Sequence, residues 1–105
     1  MVAPARIADL MREAGNSPEL PDGIAITFQL EGDGGGIWTV VRHRGGAELR
    51  FGDIDRADCR FSGTVDDFSA WYRGDLDLIR AHVEQRVQLE GDVGLILRIR
   101  RNLQG

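Results

Sequence analysis

The sequence lacks several features on which common protein classes depend. It has 105 residues, with no lysine, one cysteine and two histidines. All 13 basic residues are arginine, which is typical of a genome-composition bias and carries no functional weight here. The net charge of −4 argues against a nucleic-acid binder, because phosphate binding needs a concentrated basic face.

The single cysteine, Cys59, excludes an intrachain disulfide and favours a small intracellular protein. No apolar run approaches the ~18 residues that a membrane span needs. The first 15 residues carry charges through their apolar positions, unlike a secretory signal. We therefore expect a cytoplasmic protein without stable membrane insertion.

Residues suited to metal or catalytic chemistry are scattered. His43, His82 and Cys59 do not stand at zinc-ligand spacing. The glycine-rich stretch at 33–36 lacks the Gly-Lys-Ser/Thr ending of a phosphate-binding loop. The acidic stretch at 53–64 lacks the glycine and glutamate that a calcium loop needs. We therefore expect no metal, no cofactor and no catalytic residue.

Apolar residues alternate with polar residues in several short runs, as half-buried strands do. In the first run Phe28 points inward and Thr27 outward, and in the third Phe51 points inward. The first three runs are joined by short turns, which predicts an antiparallel meander. The predicted strands cover residues 24–31, 37–42, 47–51, 57–63 and 86–90.

Helical spacing marks the remaining segments. An amphipathic helix is predicted over 4–14, followed by a proline-containing loop over 16–23. A second helix starts after the N-cap Thr64 and ends at Gly74, and a closing helix follows Asp92. The length is that of one domain, spanning 1–105. The predicted class is α+β, a five-stranded mainly antiparallel sheet with helices packed on one face.

The predicted helices leave open whether the interior is filled or hollow. Phe68, Trp71 and Tyr72 place three rings on one short helix, as an ordinary core would. Trp and Tyr, however, often line cavities, because their polar tips need partners. A Gly74-Asp75 break separates two short helices, and such a layer over a concave sheet can also form a ligand pocket.

Three pieces of the sequence, in this order and spacing, resemble the sterol carrier protein 2 (SCP-2) domain family. The likeness covers roughly residues 20–103. The pieces are FQLEGDGGG at 28–36 followed by WTV at 38–40, ADC at 57–59 followed by DF at 67–68, and GDL at 74–76 through VQLEGD at 87–92.

The resemblance implies a hydrophobic tunnel between the sheet and the helices, without a metal or catalytic triad. Members bind sterols, fatty acids, fatty acyl-CoAs or related lipids. Two positions depart from the family pattern: Leu78 replaces a frequent proline and Gln85 a frequent glycine. These departures predict a longer, straighter helix after the Gly74-Asp75 break. Helical spacing places Leu76, Ile79 and Val83 on the apolar stripe of that helix.

The leading hypothesis is therefore non-catalytic binding or transfer of a hydrophobic small molecule by a single SCP-2-like lipid-binding domain. A carboxylate or other head group would meet His82 or Arg80 near the pocket mouth. The candidate ligand-binding residues are Phe28, Phe68, Trp71, Tyr72, Leu76, Ile79, His82, Val83 and Ile96.

Two alternatives stay open. One is a small pocket enzyme, a cyclase or isomerase acting on an apolar intermediate, with Tyr72 and His82 as acid/base candidates. The other is an accessory protein that presents a lipid substrate to a partner enzyme. The sequence does not give the oligomeric state.

Overall fold

The computed structural model describes residues 20–44, 46–54 and 56–97. The predicted helix over 4–14 and the end of the predicted closing helix lie outside these residues. Within them, no helix is long and apolar enough to cross a bilayer. The elements are β1 (Ala25–Glu31), β2 (Gly36–His43), β3 (Gly46–Phe51), β4 (Cys59–Thr64), α1 (Val65–Arg73), α2 (Leu78–Val83) and β5 (Gln88–Gly91), followed by a helical segment at 93–97.

The five strands form one sheet in the order β3-β2-β1-β4-β5. β1, β2 and β3 pair antiparallel, as the predicted meander requires. β4 joins the other side of β1 in parallel, and β5 pairs antiparallel with β4. The sheet is therefore mixed but mostly antiparallel, and the predicted α+β class is confirmed.

Asp58 ties the start of β1 to β4 and to the end of β5. Its backbone N–H donates to the Ala25 carbonyl and its carboxylate accepts from the Ala25 N–H, both at 2.8 Å. Its carbonyl accepts from the Asp92 N–H, also at 2.8 Å. Gly91 must be glycine here, because it has φ +82° and a Cβ would overlap the Asp58 carbonyl oxygen. The ADC and GD pieces of the sequence thus hold the sheet together.

The outer face of the sheet differs from the prediction at its centre. Thr27 was expected to face solvent, yet Thr27 and Thr39 are both fully buried. Thr39 donates its hydroxyl proton to the Gly52 carbonyl at 2.8 Å, so Thr27 donates to Thr39 at 2.9 Å. The loop after β3 covers these hydroxyls, and Asp53 pairs with Arg60 of β4 at 2.7 Å.

Helix α1 has the predicted limits. The Thr64 side chain accepts from the Asp67 N–H at 3.0 Å. At the other end, Gly74 adopts the left-handed conformation and its N–H bonds back to Ala70 and Trp71 carbonyls. Both caps hold the α1 side chains in a fixed position over the sheet.

Helix α2 is shorter than predicted. It has six residues, begins after the N-cap Asp77, and buries Leu78 and Ala81 instead of the expected stripe. Gln85 adopts φ +65°, the left-handed conformation that glycine would favour. The departure at Gln85 therefore does not lengthen the helix, because the chain turns there despite the side chain.

Phe51 also differs from expectation. Its side chain points to the same face as Trp38, as alternation predicted. It is nevertheless 83% exposed, because β3 is an edge strand and no described helix covers it.

Candidate functional site

A row of apolar side chains crosses the inner face of the sheet, the face that the helices cover. The strand register places one residue from each strand side by side. Phe28 and Phe61 lie at the centre, with ring centroids 5.9 Å apart. In sheet order, this row consists of Phe51, Trp38, Phe28, Phe61 and Leu89.

Helix α1 lays its own rings over the centre of this row. Phe68 packs edge-on against both Phe28 and Phe61, with ring centroids 5.4 Å and 6.1 Å away. Trp71 stacks on Phe61 at 6.0 Å with an interplanar angle of 27°. We call the inner-face row together with Phe68 and Trp71 the apolar layer. Edge-on and stacked pairs at these distances are the favoured aromatic geometries.

Most predicted ligand-binding residues meet in or beside this layer. Phe28, Phe68, Trp71 and Ile96 are at most 1% exposed. Tyr72 is half-buried and stacks on Phe68 at 6.3 Å. Leu76, just before α2, is also buried. The structure therefore gathers these six residues into one continuous cluster.

The predicted residues on α2 lie elsewhere. Ile79 is 47% and Val83 73% exposed, and His82 is exposed as well. Arg80, the other head-group candidate, is exposed and pairs with Glu84 at 3.1 Å. Among the residues of α2, only Leu78 and Ala81 are buried. Contact of the exposed α2 side chains with a ligand stays a prediction.

Two central members of the apolar layer were missing from the predicted site. Phe61 is fully buried and touches Phe28, Phe68 and Trp71. Trp38 is buried and stacks on Phe51 at 5.4 Å. The inward alternation of Phe61 was visible in the sequence, but its alignment with Phe28 depends on the parallel β1–β4 pairing. The run around Trp38 has apolar residues on both faces, and only the antiparallel pairing with β1 places Trp38 beside Phe28.

Cys59 and Trp71 bring polar groups into the apolar cluster. Burial raises the pKa of the Cys59 thiol to about 11, so the thiol stays protonated at neutral pH and acts as a small hydrophobe. The Trp71 indole Nε1–H is buried, and within the described part of the chain no acceptor reaches it. Among the described residues, no group of three or more His, Cys, Asp or Glu is placed to hold a metal ion.

A concave surface also lies on the outer face of the sheet, at β1, β4 and β5. Gln29, Ser62 and Gln88 stand in register across these strands. Arg60 and Glu90 flank them in an open cleft of about 510 Å³. A lipid chain would find few apolar partners in this polar lining. The apolar layer is therefore the better candidate for a hydrophobic ligand.

Comparison with known proteins gives a family match over most of the chain. The model of the SCP-2 sterol transfer family matches residues 12–104. Hydroxysteroid dehydrogenase-like protein 2 from Homo sapiens is 28% identical over 75 residues, which are 70% of this chain. The chain spans only 18% of the length of that relative.

Solved structures share the fold at lower identity. Sterol carrier protein 2 from Yarrowia lipolytica, in its apo form, superposes with a TM-score of 0.68 at 20% identity, over 95% of this chain and 91% of that one. A structure described as "UbiJ-SCP2 Ubiquinone synthesis protein" gives 0.65 at 13% identity, over 97% and 80%. At these identities the likeness establishes the fold.

Proposed function

The chain belongs to the SCP-2 sterol transfer family, and from that membership we propose that it binds a hydrophobic small molecule between the sheet and the helices and transfers it. The ligand is a sterol, fatty acid, fatty acyl-CoA or related lipid. We further propose that residues 1–105 act as one lipid-binding unit.

The observation that carries this proposal is the apolar layer. It continues from the buried Phe28 and Phe61 to Phe51 at the edge of the sheet. Apolar burial is worth about 25 cal/mol per Å² before the costs of association. A long alkyl chain therefore gains several kcal/mol here without a specific polar contact.

The contacts around α2 indicate where the layer would open. α2 has only six residues and reaches the core chiefly through Leu78 and Ala81. Short segments without regular structure separate it from α1 and from β5. We propose that a lipid chain moves α2 away from the sheet, and that Ile79 and Val83 then contact the ligand at the opening.

Native mass spectrometry after incubation with a lipid extract tests binding directly. We expect a population whose mass is raised by one lipid, and displacement of the fluorescent fatty acid cis-parinaric acid at micromolar concentration. Gln88→Ala, in the outer cleft, is the control and should bind normally. Failure to bind any lipid or hydrophobic probe at micromolar concentration would contradict the proposal.

An accessory role is the second candidate. A related segment forms 18% of the longer human relative, and the same fold occurs in a protein described as acting in ubiquinone synthesis. We propose, as the second candidate, that this chain presents its lipid to an enzyme. A pull-down with lipid-loaded and lipid-free protein would test this role, because presentation requires that partner binding depend on the lipid.

The enzymatic alternative makes a different prediction. Tyr72 is half-buried beside Phe68, whereas its proposed partner His82 is exposed on α2. Lipid recovered chemically changed after incubation with the purified protein would favour catalysis. Lipid recovered unchanged would favour binding and transfer.

A further inference from the structure

Trp71 carries a polar group in an otherwise apolar part of the core. The residue is 0% exposed, and no acceptor among the described residues bonds to its indole Nε1–H. Its ring stacks on Phe61, inclines to Phe68 at 5.8 Å and meets Tyr72 edge-on at 6.4 Å. This donor therefore lies within the proposed lipid site.

An unpaired donor at this depth is unusual. Folded proteins pair the large majority of their buried polar groups, because an unpaired one loses its bonds to water without replacement. The other buried polar side chains of the described residues, Thr27 and Thr39, satisfy each other and the Gly52 carbonyl. Phenylalanine would supply most of the same ring area at position 71 without an unpaired donor.

The end of α1 fixes the backbone that carries this donor. Gly74 N–H bonds to the Trp71 carbonyl at 2.9 Å, and Asp75 N–H bonds to the Ala70 carbonyl at 2.8 Å. With ring contacts on several sides, the indole has little freedom to turn toward water. Since the described residues supply no acceptor, a bound molecule that offers one would have to reach the donor inside the layer.

We propose that Trp71 Nε1–H donates a hydrogen bond to an oxygen atom of the bound lipid. This inference rests on the proposed function and deepens it. The sterols, fatty acids and fatty acyl-CoAs proposed as ligands each carry a hydroxyl, carboxyl or carbonyl oxygen, and that oxygen reaches the helix layer beside Phe61. Trp71 is then a specificity-determining residue that favours such a lipid over a hydrocarbon of the same length.

The Nε1–H resonance of Trp71 reports this bond directly. The chain has two tryptophans, so a ¹⁵N-labelled sample shows two indole signals, which Trp38→Phe assigns. We expect palmitic acid or hexadecanol to shift the Trp71 signal downfield, and hexadecane to bind without doing so. A Trp71 signal that moves equally with hexadecane, or does not move with bound palmitic acid or hexadecanol, would overturn the inference.

Affinity gives an independent test. We expect Trp71→Phe to weaken binding of palmitic acid or hexadecanol about fivefold to tenfold, since one net hydrogen bond is lost. The affinity for hexadecane should stay within about twofold of the wild-type value. Trp38→Phe controls for the loss of an indole ring elsewhere in the layer. Equal weakening of all three probes would mean that Trp71 contributes shape alone, which contradicts the proposal.

These experiments distinguish failure of the proposed lipid binding from failure of the proposed role of Trp71. If none of the three probes binds the wild-type protein, the proposed function itself fails. If all three bind the wild type with equal affinity and Trp71→Phe changes none of them, lipid binding stands and the role of the indole donor is refuted. The spectra of wild-type protein do not depend on whether the variant folds.

Discussion

Replacing Gly91 with alanine tests how the sheet is held together. Gly91 has φ +82°, and an added Cβ would overlap the Asp58 carbonyl oxygen and lie 3.2 Å from its carbon. Gly23 is a matched control, because it has φ +87° and open space around its Cβ position. Both alanines adopt a left-handed conformation, so the difference between the variants isolates the overlap with Asp58.

The structure sets the expected magnitudes. The left-handed conformation costs alanine about 1–2 kcal/mol, offset by about 0.4–1 kcal/mol from the stiffer unfolded chain. Gly23→Ala should therefore lower the free energy of unfolding by about 1 kcal/mol. Gly91→Ala must also move β5 away from β4 and weaken the Asp92–Asp58 hydrogen bond, so its loss should be about 3 kcal/mol.

Urea unfolding followed by tryptophan fluorescence measures both losses. The m-values should match that of the wild type, so that the midpoints compare stability alone. The overlap with Asp58 predicts a clear difference between the two variants. If Gly91→Ala and Gly23→Ala lower the free energy of unfolding by amounts within about 0.5 kcal/mol of each other, the role of Gly91 in joining β5 to Asp58 is refuted.

Three further outcomes are expected. Gln85→Gly should raise the free energy of unfolding by about 0.5 kcal/mol, because relief of the φ +65° conformation outweighs the added freedom of the unfolded chain; an equal gain from Gln85→Ala, which keeps the strain, would contradict this. Thr39→Val should lower the free energy of unfolding, measured in urea, by about 1–3 kcal/mol, because the Gly52 carbonyl loses its Thr39 donor and the Thr27 hydroxyl loses its bond to Thr39. The Cys59 thiol has a pKa raised from 9.0 to about 11, so the unfolded chain loses this proton first. Stability should fall by about 2 kcal/mol as the pH rises from about 9 to about 11, and Cys59→Ala should remove that fall.

Local patterns in the sequence predicted the strands and α1 correctly, because their causes are local. In β1, β3, β4 and β5, alternation identifies the inward residues whichever strand lies beside them. Thr64 and Gly74 stand at the ends of α1 because hydroxyl capping and the left-handed conformation depend on residue type. Because the predicted strand carries Phe28 inward and the predicted helix carries Phe68 and Trp71 on its apolar side, the sequence also predicted that these three residues cluster.

The parts that the sequence did not reveal depend on tertiary packing. Thr27 is buried because the loop after β3 returns across the outer face. The buried face of α2 was misjudged because the helix starts at Leu78, after the Asp77 cap, and so turns Ile79 and Val83 outward. The spacing of apolar residues predicts neither the burial of Thr27 nor the buried face of α2, because both depend on how the loops run between the strands and helices.

Intermolecular NOEs between a bound lipid and the protein test the central claim most directly. With palmitic acid, the account predicts contacts from its methylene protons to the ring protons of Phe28, Phe68 and Trp71. Contacts confined to Gln29, Ser62 and Gln88 in the outer cleft, or no saturable contact with the layer, would contradict it.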